Sequence, residues 1–178
     1  LVSIIVPARN EELNIARCVN SILKQELSLE LIVVNDGSTD DTCAIVSRIA
    51  ASNHRLRLIS INELPSGWTG KNYAVYTGFL ESSGKWILFC DADTYHYEGS
   101  LNKAVVLCEA HGFDCLSYSP EQECDTFGER LLQPAVFQLL DEWFPYERVS
   151  DSERNDAAAN GQYIFIRRKV MNAIGAHA

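Results

Sequence analysis

The run Lys85-Trp86-Ile87-Leu88-Phe89-Cys90-Asp91-Ala92-Asp93 constrains this chain most, because an apolar stretch of strand length stops abruptly in two carboxylates one residue apart. Such a run reads as a buried strand with a polar carboxyl end. In an open parallel sheet that end faces the ligand crevice. Paired carboxylates at such a place suit hard divalent cations, and Mg²⁺ or Mn²⁺ keep coordination positions free for substrate phosphates. The plainer alternative is an Asp-rich turn after a core strand, and a D-x-D by itself does not separate the two.

Two earlier units repeat the logic. Val2-Ser3-Ile4-Ile5-Val6 runs into Pro7-Ala8-Arg9-Asn10-Glu11-Glu12, where Asn10 is placed to cap a helix and the two glutamates suit its positive end. Glu30-Leu31-Ile32-Val33-Val34-Asn35 runs into Asp36-Gly37-Ser38-Thr39-Asp40-Asp41-Thr42, with Gly37 permitting a tight turn and Ser38 to Asp41 spaced as a capping box. Ile15, Val19, Ile22 and Leu23, then Ala44, Ile45, Ile49 and Ala50, recur at helical spacing.

Further strands are predicted over 57–61, 114–119 and 162–167, and helices over 71–82 and 99–110. An amphipathic stretch is predicted from Phe127 to Phe144, and a polar loop over 148–158. Strand and helix alternate throughout, which predicts an α/β fold with a mostly parallel sheet and right-handed crossovers.

The 178 residues, 47% of them hydrophobic, suffice for one core and one domain. A formal net charge of −9 argues against a nucleic-acid surface, which needs clustered Lys and Arg. It also means that a metal must offset the charge of any bound diphosphate. The six cysteines form no C-x-x-C pair and fall mainly in apolar segments, so they read as buried free thiols suited to a reducing cytoplasm. No signal peptide and no apolar run of about 18 residues is present. The chain opens on Leu1 and reaches Ala178 within a helical pattern, so a longer protein is expected.

Pro7-Ala8-Arg9-Asn10-Glu11, Val34-Asn35-Asp36-Gly37-Ser38-Thr39-Asp40, Gly70-Lys71-Asn72 and Asp91-Ala92-Asp93, in that order, resemble the family-2 glycosyltransferases of the GT-A type fold. The likeness covers nearly the whole chain. Gly67-Trp68-Thr69-Gly70-Lys71 and Ala159-Asn160-Gly161-Gln162-Tyr163 are similar to the branch of hopanoid-associated and carotenoid glycosyltransferases, related to ceramide glucosyltransferases.

The resemblance implies a Rossmann-like sheet flanked by helices. It divides the domain into a nucleotide-sugar half, 1–95, and the start of an acceptor half, 96–178. It implies a UDP- or GDP-sugar donor, Mg²⁺ or Mn²⁺ as cofactor, and inversion at the anomeric carbon. Asp36 is expected to accept a hydrogen bond from the base, which a carboxylate can do for a uracil or guanine N–H but not for an adenine acceptor edge.

Pro7, Ala8 and Glu11 are expected to frame base and ribose, with Arg9, Gly37 and Ala92 also on the donor side. Lys71 is expected to meet phosphate; a solvated lysine is the alternative. Asp91 and Asp93 are expected to carry the metal and activate the leaving group, with His96 a candidate third ligand set against an ordinary exposed loop histidine. Trp68, Asn160, Gly161 and Gln162 are assigned to the acceptor region, although a loop tryptophan packed on the core fits Trp68 equally.

The family's general base is an Asp in a motif that does not occur before Ala178. Asp151, Glu153 and Asp156 precede that region and read as solvated. The base is therefore expected beyond Ala178. The acceptor is expected to be a lipid or another hydroxyl compound. The stretch 131–145 could lie on a membrane surface or serve as a core helix with Pro134 near its start. The whole protein is expected in the cytoplasm, at the cytoplasmic face of a membrane.

A sugar nucleotidyltransferase would need a Gly-rich, basic first loop, and a dinucleotide dehydrogenase a G-x-G-x-x-G; neither follows the first strand. A non-catalytic nucleotide-sugar-binding or scaffold module stays open as the alternative to an enzyme.

Overall fold

The computed structural model describes residues 1–124, 126–149, 151, 153–154 and 158–176. Six strands form one sheet: β1 (Val2–Ala8), β2 (Leu29–Asn35), β3 (Leu56–Ser60), β4 (Trp86–Cys90), β5 (Cys115–Ser117) and β6 (Tyr163–Arg167), in the spatial order β3-β2-β1-β4-β6-β5. β1 pairs in parallel with β2 and β4, and β2 in parallel with β3, whereas β6 is antiparallel to both β4 and β5. The sheet is thus mostly parallel, with an antiparallel edge.

A central parallel strand is covered on both faces, so its sequence runs apolar without alternation. Val2, Ile4, Ile5 and Val6 are all buried in this way. On one face Ile4, Val6, Leu31, Val33 and Leu88 pack against α1 (Ile15–Leu23), α2 (Thr42–Ala50) and α4 (Ser100–His111). On the other, Ile5, Ile32, Val34, Ile87 and Phe89 meet α3 (Gly70–Leu80) and α7 (Arg168–Ala173). Each fully buried Ile, Leu, Val or Phe contributes about 1.5–3 kcal/mol.

From β1 the chain builds outward through β2 to β3, then returns to place β4 on the opposite side of β1. The strand order therefore reverses between β1 and β4. In open α/β sheets ligands bind outside the strand carboxyl ends at that reversal.

Several expectations are corrected. The stretch after Thr126 is a helix, α5 (Phe127–Trp143), but none of its residues is buried, so it is not a core helix, and Pro134 lies within it rather than near its start. α6 (Tyr146–Val149) and α7 were not separated as elements in the sequence, and α7 stops at Ala173, short of Ala178. Cys18, Cys90 and Cys108 are buried free thiols, but Cys43 and Cys124 are half-buried and Cys115 is exposed on the short edge strand β5. Among the described residues no helix is long and apolar enough to cross a membrane.

Candidate active site

A cleft of about 380 Å³ opens at the strand-order reversal. β1 and the loop after it supply Pro7, Ala8, Arg9 and Glu11; the end of β2 supplies Asp36; α3 begins with Gly70 and Lys71; and β4 leads into Asp91, Ala92 and Asp93. Residues more than eighty positions apart in sequence thus share one wall because their strands are neighbours.

The first two loops are held to each other. The Asn10 N–H donates to Ser38 Oγ at 3.1 Å, and Asn10 Oδ1 accepts from the Thr39 N–H at 2.8 Å. The Glu11 N–H donates to Thr42 Oγ1 at 2.8 Å, the Glu12 N–H to Asp40 Oδ2 at 3.0 Å, and the Asp41 N–H to Glu12 Oε2 at 3.1 Å. This overturns both expected caps. Asn10 sits in the left-handed region at φ 56°, α1 starts only after Asn14, and neither α1 nor α2 has a side-chain bond at its N-cap. The ends of adjacent parallel strands lie close enough for each loop's side chains to satisfy the other's backbone donors, and that pairing wins over local capping.

Gly37, at φ 67°, turns the chain so that Asp36 faces the cleft. The Asp36 N–H donates to the Ala8 carbonyl at 2.9 Å, and its carboxylate lies 3.6 Å from the Arg9 guanidinium. A Cβ on Gly70 would come within 2.0 Å of Asp36 Oδ2. Glycine there lets the first turn of α3 approach the carboxylate.

That helix has Thr69 as an extended N-cap with no side-chain bond, so its first N–H groups, at the Gly70–Lys71 edge of the cleft, are unclaimed by a side-chain cap. From the same turn, Lys71 Nζ reaches Asp91 Oδ1 at 2.7 Å. The ammonium thus neutralises one carboxylate of the pair.

Other assigned residues fall elsewhere. Trp68 stacks on Tyr76 at 5.0 Å and meets Tyr73 edge-on at 5.4 Å, so it packs on α3 and is not in the cleft wall. Asn160, Gly161 and Gln162 lead into β6, whose Tyr163 pairs with Cys90, and so stand at the same sheet end as Asp91. Asn160 Oδ1 accepts from the Gln162 N–H at 2.9 Å, and the Asn160 N–H donates to Ser117 Oγ at 2.8 Å. Tyr163 is buried behind this corner, and burial pushes its phenol up.

His96 is buried and bonded to Thr94 rather than exposed, and among the described residues no three His, Cys, Asp or Glu side chains are placed to hold a metal ion. The third-ligand expectation is not met. Asp151 and Glu153 are exposed and outside the cleft, and Asp156 lies outside the described residues. The half-buried Thr94 contacts with Asp91 and His96 and the bare start of α3 were missed in the sequence. Only the Asp-x-x-Thr spacing after β4 could have signalled the first.

A model of glycosyl transferase family 2 matches residues 3–175. The chain belongs to that family.

The 4,4'-diaponeurosporenoate glycosyltransferase of Staphylococcus aureus is 38% identical over 91 residues, which are 51% of this chain and 23% of that relative. The chain therefore matches about a quarter of the length of such curated relatives. A mannosyltransferase from Pyrobaculum calidifontis, solved with GDP-Man and Mn²⁺, superposes with a TM-score of 0.71 at 23% identity, over 98% of this chain and 46% of that one. TarS of S. aureus with UDP-GlcNAc gives 0.68 at 21%, over 98% and 47%. At these identities the likeness is one of fold, and that fold is the GT-A type.

Proposed function

We propose that this family member is the donor-binding part of an inverting glycosyltransferase that moves a sugar from a UDP- or GDP-sugar to an acceptor hydroxyl. The observation that carries the reading is the meeting of Asp36, Lys71, Asp91 and Asp93 in one cleft at the strand-order reversal. Solved GT-A neighbours hold GDP-Man with Mn²⁺ and UDP-GlcNAc, which supports a nucleotide-sugar ligand.

The donor set fits a hard divalent cation. Asp91 and Asp93 offer oxygen ligands at the cleft, and the Lys71 ammonium 2.7 Å from Asp91 marks a place where positive charge is favoured. Two protein carboxylates leave the remaining positions to diphosphate oxygens and water, which is how Mg²⁺ and Mn²⁺ are commonly held. When bound, the cation would stabilise charge developing on the departing diphosphate.

The chain's own residues do the rest. Asp36 accepts an N–H from uracil or guanine, and Pro7, Ala8, Arg9 and Glu11 line the base and ribose side. The unclaimed N–H groups of α3 face the diphosphate, where the helix dipole favours anions. Lys71 exchanges Asp91 for a phosphate oxygen, so the Asp91 carboxylate is freed as the donor arrives. The Asn160–Gln162 corner and Tyr163 shape the side from which an acceptor hydroxyl attacks opposite the diphosphate. The exposed apolar face of α5, with Trp143 72% exposed, supports an apolar acceptor presented at a membrane surface.

Titration calorimetry of UDP- and GDP-sugars with and without Mg²⁺ or Mn²⁺ tests this. Binding is expected to be weak without metal, and Asp91→Ala or Asp93→Ala is expected to remove the metal's benefit. Asp36→Ala is expected to weaken nucleotide binding at little cost to stability. Equal affinity with and without metal, or an Asp36→Ala change felt only in melting temperature, would reject the site.

A further inference from the structure

Strand periodicity does not aim the two carboxylates. β4 ends at Cys90, and residues 91–94 form a turn in which the Thr94 N–H reaches the Asp91 carbonyl at only 3.3 Å. In such a turn the directions of residues i and i+2 depend on what fixes the turn, not on the pleat.

What fixes it is a column of partly and fully buried polar contacts running down to α1. Thr94 Oγ1 donates to the Asp91 carbonyl at 2.7 Å. A hydroxyl carries one proton, so the 3.1 Å contact between Thr94 Oγ1 and His96 Nε2 is donated by the imidazole, which sets the Nε2–H tautomer. The His96 ring is buried beside Tyr163, at 5.9 Å between centroids.

The His96 N–H donates to Ser21 Oγ at 3.0 Å, and Ser21 Oγ donates to the Cys18 carbonyl at 2.8 Å. Gln25 Nε2 donates to the Tyr97 carbonyl at 3.0 Å, and Cys18 Sγ lies 3.6 Å from the Asp91 carbonyl. Cys18 and Ser21 are buried on α1, and Gln25 is buried just past its end. The loop after β4 is thereby hung on a helix that makes no part of the cleft wall.

We propose that Thr94 and His96 are positioning residues for Asp91 and Asp93, acting through the Asp91 carbonyl and the turn it closes to hold both carboxylates toward the cleft. The proposal rests on the reading that those carboxylates bind the cation and diphosphate together. Removing the Thr94 hydroxyl leaves the Asp91 carbonyl with the long Thr94 N–H contact and a thiol. It also leaves the buried imidazole N–H without an acceptor. The base side of the cleft, built on β1 and β2, does not depend on this column.

The test compares Thr94→Val with Thr94→Ser, and His96→Leu with His96→Gln, which keeps a donor near Nε2. Mn²⁺ binding in the presence of UDP or GDP is followed by electron paramagnetic resonance, and metal-free uridine or guanosine binding by calorimetry. Asp91→Ala serves as the reference.

Thr94→Val is expected to weaken Mn²⁺–nucleotide binding about three- to tenfold. Thr94→Ser should restore it, and nucleoside affinity should not move. The histidine pair should follow the same pattern and decides the question if Thr94→Val does not fold. Asp91→Ala abolishing Mn²⁺–nucleotide binding while Thr94→Val and His96→Leu leave it unchanged would overturn the positioning role alone. Losses shared by nucleoside binding, or not rescued by serine and glutamine, would do the same. Unchanged binding in Asp91→Ala would overturn the cation site and the positioning role together.

Discussion

Helices α1 and α5 reach the same secondary structure by opposite routes. α1 has nine residues, no side-chain bond at its N-cap and no acid in its first turn, yet it buries Ile15, Cys18, Val19, Ser21, Ile22 and Leu23. α5 has seventeen residues and a complete capping box, in which Glu129 Oε2 accepts from the Thr126 N–H at 2.8 Å and Thr126 Oγ1 from the Glu129 N–H at 3.2 Å, yet it buries none. One helix is made by tertiary packing and the other by its own ends and periodicity. Short helices are marginal in water without one of these supports. The contrast follows packing: α1 covers the β1–β2 centre, whereas α5, which follows the three-residue edge strand β5 along the chain, contributes nothing to the core. β6, although late in the chain, buries Tyr163, Phe165 and Ile166 because it pairs with β4.

The sharpest way to break the comparison is to truncate a side chain in each region. Phe165→Ala, at a ring stacked 4.7 Å from Trp86 and fully buried, is expected to cost about 3–5 kcal/mol in urea unfolding. Trp143→Ala on α5 is expected to stay within about 0.5 kcal/mol. A comparable loss at Trp143 would show that α5 is packed in solution. Next in size, Thr126→Ala should remove the box that starts α5 and cost that helix about 1 kcal/mol. The change should be read as faster amide exchange in α5, with exchange in α1 unaltered. Parallel loss of protection in both helices would join the two regions into one cooperative unit.

The smallest effect concerns α4 and the β4–β6 side. Hydrogen bonds from Lys85, then from Arg167 and Trp86, hold the Glu109 carboxyl down at about 2, against a usual 4.5. A depressed acid contributes stability that is fully present above the unfolded value and is lost as pH falls through the folded one. Stability should therefore decline from about pH 4.5 toward pH 2, and Glu109→Gln should remove part of that slope in acid titrations followed by circular dichroism. Because Glu109 lies on the surface, salt should shrink the difference. An identical acid profile in the variant would leave Glu109 without a linking role.

Capping signals show how local reading can fail. Thr126-x-x-Glu129 closes as its spacing dictates. Ser38 to Asp41 has similar spacing, but Asn10 and Glu12 of the adjacent loop draw Ser38 Oγ and the Asp40 carboxylate into contacts between loops. For Trp68 the sequence left two destinations open, and for His96 it expected an exposed loop. Trp68 turns onto the α3 tyrosines and the His96 ring onto Thr94 and Tyr163, and the flanking residues do not choose either partner.

The sequence alone determined the strand and helix alternation, the apolar centre of the sheet and the polar strand ends that carry Asp36, Asp91 and Asp93. It could do so because burial on both faces demands continuous apolar runs and strand ends must turn in polar residues. Only the tertiary structure decided which strand ends adjoin, that Gly70 lets α3 touch Asp36, that Lys71 reaches Asp91, and that the Asp91 turn hangs on Thr94, His96 and α1. Those are contacts between residues far apart in the chain, fixed by strand order and register, and periodicity along the sequence carries no record of either.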